Sequence, residues 1–168
     1  MRAISFASLL LLAACSEGGG TEQKAAEIDT SKLELAAGQW ETVSEVTSFK
    51  AEDKGAPAIK ADIGSKTTIS NCVGQGEGKK PPAVVLAGLD NATCEYQNIY
   101  MSRGRLNALM TCKRPGLSGN ILVSTQGTYT DKSFDLVSNS RTLLATDGDV
   151  SFDSKLTGRN TGACTAAS

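Results

Sequence analysis

The chain contains no histidine. The commonest general base at neutral pH and the commonest metal ligand are therefore missing. Ser-His-Asp and Cys-His schemes are excluded outright, while carboxylate chemistry is not. Aromatic residues are scarce at 5%, with one tryptophan, and there are four prolines. Together with 17 glycines this describes a turn-rich fold with a modest core. An excess of one charge is also lacking, because 17 Lys+Arg meet 18 Asp+Glu for a formal net charge of -1. Without a basic field to hold a phosphate backbone, nucleic acid is not an expected partner. The apolar run from Ala3 to Leu12 is only about half of what a bilayer span needs. What remains is 168 residues, 40% hydrophobic and 21% charged, which suits one globular domain.

The amino-terminal run has a different meaning. Arg2 precedes it, and it ends in Leu12-Ala13-Ala14-Cys15. That tetrapeptide resembles the lipobox of bacterial lipoproteins: an aliphatic residue, two small ones, then cysteine. The resemblance implies that residues 1–14 are a signal peptide, removed on export, and that Cys15 carries the lipid. Several acyl chains give stable anchoring where one is marginal. Ser16 follows where Asp would suggest retention in the inner membrane. The expected address is thus the bacterial cell envelope, lipid-anchored to the outer membrane and facing the periplasm. Residues 15–37 read as the lipidated cysteine and a flexible tether, opened by Gly18-Gly19-Gly20, spanning roughly 25 Å on average. Ser31-Lys32-Leu33-Glu34-Leu35 has the pattern of one helical turn within it.

Five cysteines less the lipidated one leave Cys72, Cys94, Cys112 and Cys164. An even number in an exported chain implies two disulfides. Ser102-Arg103-Gly104 fits a three-residue hairpin loop with Gly104 left-handed, so that Met101 faces Arg105. In that register Cys94 lies opposite Cys112 at a non-hydrogen-bonded site, where Cα atoms approach to about 4.5 Å. Cys72–Cys164 follows by elimination. The four cysteines contain no CxxC pair of the kind zinc sites use.

From residue 38 to residue 168 the chain reads as a single β domain. Ile59, Ala61, Ile63, Thr67 and Ile69 alternate with polar residues, as in a half-buried strand. The hairpin register puts Cys94, Tyr96, Tyr100, Leu106, Met110 and Cys112 on one face. Leu117, Ile121, Val123 and Tyr129 continue the pattern. Phe134 and Leu136 open a strand that runs to about Leu144. Asp147-Gly148 signals a hairpin, and Val150, Phe152 and Leu156 face inward after it. The first strand, from Trp40 to Phe49, alternates poorly and is expected to carry a bulge. Residues 74–82 read as a loop, and Val84-Val85-Leu86-Ala87 as a helical turn on the sheet. The expected fold is all-β: an antiparallel up-and-down meander of about seven or eight strands, curled into a barrel or half-barrel, with a two-layer sandwich as the alternative.

Candidate chemistry is thin. Residues 74–80, Gly-Gln-Gly-Glu-Gly-Lys-Lys, lack phosphate-loop spacing and read as a surface loop. Asp147, Asp149 and Asp153 lack the calcium-loop pattern. Asn91-Ala92-Thr93 matches a glycosylation acceptor by chance. Trp40 reads as a core plug at one end of the sheet, and Lys79-Lys80 and Arg103/Arg105 as solvated turns.

Gly38-Gln39-Trp40-Glu41, a Thr/Val-rich strand, Asn71-Cys72, Cys94, Cys112 and a closing Gly162-Ala163-Cys164 form a recognisable layout. It resembles the domain-of-unknown-function 3617 family of exported bacterial proteins, which open on a Pro-Gly-x-Trp-Glu-like motif. Ala37 takes the proline place. The resemblance implies export, β structure and paired cysteines, and brings no activity or catalytic residues.

The expectation is therefore a non-enzymatic binding module for a lipid or small apolar ligand, held at the membrane by its anchor and needing no cofactor or metal. The alternative is an interaction, inhibitor or assembly accessory that contacts an envelope protein through loops 74–82 and 102–105.

Overall fold

A computed structural model describes residues 33–164. The signal, Cys15 and most of the tether, including Ser31 and Lys32, lie outside the described residues. Seven strands and one short helix follow in order: β1 (Gly38–Ala51), β2 (Lys66–Val73), α1 (Ala83–Ala87), β3 (Thr93–Ser102), β4 (Arg105–Lys113), β5 (Gly119–Tyr129), β6 (Ser133–Leu144) and β7 (Val150–Gly162). They form one antiparallel sheet in the order β2-β1-β7-β6-β5-β4-β3, curled into a half-barrel. Strands β3 to β7 make the meander. β7 then pairs with β1, and β2 hangs on the far side of β1. The connection from β2 to β3 runs from one sheet edge to the other, and carries α1 against strands β1 to β5.

Period-two alternation explains the curl. The inward face of β4 to β7 carries most of the large apolar side chains, and burying them requires either a second layer or closure of the sheet on itself. The core comprises Trp40, Met110, Ile121, Val123, Phe134, Leu136, Val150 and Leu156, with Val85 and Leu86 of α1 filling the concave side. Trp40 stacks on Phe134 with ring centroids 5.7 Å apart and planes at 9°. Phe134 lies across Gly158, its partner on β7, where a Cβ would meet the ring at 2.1 Å. The bulge expected in β1 is present: the register with β7 shifts between Val46 and Ser48. Inward positions therefore pass from Trp40, Thr42, Ser44 and Val46 to Phe49, which accounts for the poor alternation.

Both expected disulfides form, Cys94–Cys112 with Cα atoms 4.0 Å apart and Cys72–Cys164 at 5.4 Å. The hairpin behind the first differs in two places. Ser102 pairs with Arg105, so the turn has two residues, Arg103 (φ 51) and Gly104 (φ 73), both left-handed as a type I′ turn requires. A bulge between Tyr96 and Asn98 then shifts the register back by one residue. The two differences cancel at Cys94/Cys112 but not at Tyr100. Tyr100, expected inside, lies on the outer face with 59% exposure, and Met101 takes its inward place.

Two further expectations are corrected. Residues 59–65 are not strand: β2 begins at Lys66, Ile59 is buried from a loop, and Ile63 is 69% exposed. Asp147-Gly148 does not make a tight hairpin either, because residues 145–149 form a wider loop between β6 and β7. At the other end of the barrel, residues 33–37, assigned to the tether by composition, pack as a strap. Leu35 is buried, its N–H donates to Gly78 O at 3.0 Å, and the N–H of Ala36 donates to Asp131 O at 2.7 Å. Trp40 Nε1 donates to Ala36 O at 2.9 Å, so the plug and the strap hold one another.

Candidate ligand pocket in the half-barrel

β1 and β7 form the floor of a pocket of about 290 Å³ on the concave face. Its floor presents Ser44, Val46, Phe152 and Ser154. Its walls come from residues 59–62 of the β1–β2 connection and from Gly88, Leu89 and Asp90 after α1. Gly88 ends α1 in a left-handed conformation (φ 67) and passes close over Leu156, where a Cβ would meet Cδ2 at 2.3 Å. Only glycine gives this approach, and it sets the depth of that wall. Thr42 Oγ1 donates to Val85 O at 3.0 Å and ties α1 to the floor. The rim is charged: Arg114 pairs with Asp90, and Lys60 and Asp62 stand on the opposite wall.

The inward face beneath this pocket is rich in hydroxyls. Thr42, Ser44, Thr125, Ser138, Ser140, Thr142 and Ser154 are all buried. Most have a structural partner or lie at the pocket. Thr125 Oγ1 and Ser138 Oγ do not: both are buried without a hydrogen-bond partner. Ser138 faces Ser154 across the β6–β7 ladder, and Thr125 faces Ser138 across β5–β6. A row of three hydroxyls thus leads from the pocket floor into the interior. An unpartnered buried hydroxyl costs about 1–3 kcal/mol, so two neighbours of this kind call for a reason.

The wall formed by residues 52–62 is fixed at its base. The Asp53 carboxylate accepts from the N–H groups of Gly148 at 2.9 Å, Asp149 at 3.0 Å and Gly55 at 3.0 Å. These bonds hold its pKa below the usual aspartate value, the Gly148 bond contributing most. Asp149 in turn accepts from the Leu144 N–H at 3.0 Å and the Thr142 hydroxyl at 2.9 Å. The connection thereby latches to the β6–β7 loop.

The candidate residues singled out in the sequence fall elsewhere. Cys15 lies outside the described residues. Cys72, Cys94, Cys112 and Cys164 serve the two disulfides. Asp147 is exposed, Asp149 caps the loop, and Asp153 accepts from Asn139 and Ser48. Among the described residues no three potential metal ligands converge. In loop 74–82, Glu77 accepts from the Gly74 N–H at 2.7 Å, and Gly78 O accepts from the Leu35 N–H of the strap. Burial raises the phenol pKa of Tyr96, which donates to Pro81 O at 2.9 Å. Sequence reasoning missed both the Asp53 latch and the hydroxyl row. The row had a signal, since Ser138, Ser140 and Thr142 keep the parity of Phe134 and Leu136.

Fold and pocket define a disulfide-linked β half-barrel with a small concave site. The chain belongs to the family described as Protein of unknown function (DUF3617), whose profile matches residues 35–164. None of the curated proteins and none of the solved structures compared with the chain matches it.

Proposed function

We propose that this chain is an exported, lipid-anchored binding module of the bacterial envelope that holds one small ligand in the concave pocket. The address rests on Leu12-Ala13-Ala14-Cys15 and accords with two disulfides, which form and persist in oxidising compartments. The observation that carries the binding reading is the pair of unpartnered hydroxyls, Ser138 and Thr125, one and two strands beyond Ser154 at the pocket floor. A ligand whose polar group passes Ser154 meets them.

The pocket also narrows the ligand class. The interior is occupied by Trp40, Phe134, Leu136 and the buried face of α1, and about 290 Å³ is near the lower limit of small-molecule sites. This supports a compact molecule with an apolar body and a polar end over a free acyl chain. Val46, Ile59, Leu89 and Phe152 suit the body, and Ser44 and Ser154 the polar end. Binding is favoured over catalysis because one of the two rim acids, Asp90, is held by Arg114. Native mass spectrometry of the membrane-extracted chain tests the proposal. One small-molecule adduct per chain is expected; a ligand-free mass together with no uptake of fluorescent amphiphile probes would overturn it.

A further inference from the structure

We propose that the strap end of the half-barrel is a membrane-facing surface that takes anionic phospholipid headgroups. The pocket, at the other end, then points away from the membrane. This placement rests on anchoring at Cys15.

The strap defines that end. Leu33 O accepts from the Tyr129 hydroxyl at 2.9 Å, and Tyr129 N–H donates to Gly104 O at 2.8 Å. Leu35 and Ala36 bond to Gly78 and Asp131. The chain arriving from Cys15 is therefore clamped among three loops: the β3–β4 turn, the β5–β6 turn and loop 74–82. Seventeen residues, 16–32, separate Cys15 from this clamp, and a chain of that length reaches at most roughly 60 Å. The clamped end thus stays within a few tens of ångströms of the lipid.

Its charge fits the lipid surface. The same three loops expose Arg103, Arg105, Lys79, Lys80 and Lys132, against the acids Glu34, Glu77 and Asp131. Arg103, Arg105, Lys80 and Lys132 have no ion-pair partner among the described residues. The opposite end carries the acids Glu52, Asp53, Asp62, Asp90, Asp147 and Asp149 against Lys50, Lys54, Lys60, Lys113 and Arg114, and so has no basic excess. With the adjoining strand ends counted, Arg159 against Glu41 and Asp135 at the strap and Arg141 against Glu95 opposite, six bases meet five acids at the strap and six meet seven at the other end, so the strap end is the more basic of the two. Tyr100, exposed beside Arg105, adds an aromatic ring of the kind that sits at headgroup level. Arg103 is informative in itself. It occupies a left-handed position (φ 51) where Asn or Gly is favoured, so the turn carries a positive charge at some conformational cost. Loops 74–82 and 102–105, expected from the sequence as protein contacts, both belong to this membrane-facing end.

Trp40, the one tryptophan, lies close to the strap and serves as the built-in donor for the test. The full chain is reconstituted with vesicles of phosphatidylcholine alone, or mixed with phosphatidylglycerol, each containing a dansyl-headgroup acceptor. Transfer from Trp40 is expected to rise with phosphatidylglycerol and to fall at high salt. Arg103→Gln, Arg105→Gln and Lys132→Gln together should lower the ratio of docked to undocked chains by about a hundredfold, at roughly 1 kcal/mol per charge. Equal transfer in the two vesicle types would overturn the proposal, with no variant needed. So would undiminished transfer in a variant whose Tm matches the parent. Failure of anchoring reads out separately, as loss of the parent chain from the phosphatidylcholine pellet at high salt.

Discussion

Thr125 and Ser138 each hold a hydroxyl in the core with no bond to show for it. If the fold alone governed these positions, valine and alanine would serve better. Thr125→Val keeps the shape and removes the unmet polar group, so it is expected to raise stability by about 1 kcal/mol in denaturant titration, while weakening ligand retention. At Asp53 the direction is the opposite. Its folded pKa lies below the unfolded value near 3.8, so its contribution is fully present above that value and is lost as pH falls through it toward the folded pKa. Glu52 shifts the same way, through the Ser151 hydroxyl and then Lys50. Thermal melts are therefore expected to show Tm falling between about pH 5 and pH 3, and Asp53→Asn should make that fall shallower. An unchanged slope would remove Asp53 as the latch.

At the level of elements, the pairing of β6 with β7 depends on Phe134 lying over Gly158. A methyl group at Gly158 would occupy the volume of the ring, so Gly158→Ala should displace Phe134 from Trp40. The expected cost is about 1–3 kcal/mol, with a change in Trp40 fluorescence. Phe134, Leu136, Val150 and Phe152 were legible as inward residues because alternation on one strand is local information. The β3–β4 hairpin was legible in its disulfide but not in its turn. Arg103 is an unusual residue for a left-handed position, and the compensating bulge near Gln97 has no composition cue. The β1–β2 connection misled because Ile59, Ala61 and Ile63 alternate by chance, whereas its position is set by Asp53 reaching Gly148, 95 residues away. The pocket was invisible for the same reason. It is assembled from β1, β7, the β1–β2 connection and the segment after α1, which meet only in three dimensions.

For the whole molecule, the two disulfides divide the work. Cys94–Cys112 pins one edge hairpin, and Cys72–Cys164 ties the chain end to the other edge strand across a separation of 92 residues. In the chain-entropy model the longer loop contributes about 4–5 kcal/mol and the shorter about 3. Cys72→Ser with Cys164→Ser is accordingly expected to lower unfolding stability more than Cys94→Ser with Cys112→Ser, as read by guanidinium titration of each pair. A strap and basic loops at one end and a pocket at the other give the half-barrel a direction. β6, at 12 residues, puts the ends roughly 35–40 Å apart. The proposed binding function turns on a small ligand occupying the pocket above Ser154. Ser154→Leu fills that floor without touching the strap, the latch or either disulfide. Parent and Ser154→Leu chains, extracted side by side and matched for folding by circular dichroism, can be compared by native mass spectrometry. One small-molecule adduct is expected on the parent and none on the variant; the same adduct on both, or none on the parent, would rule out an occupied pocket.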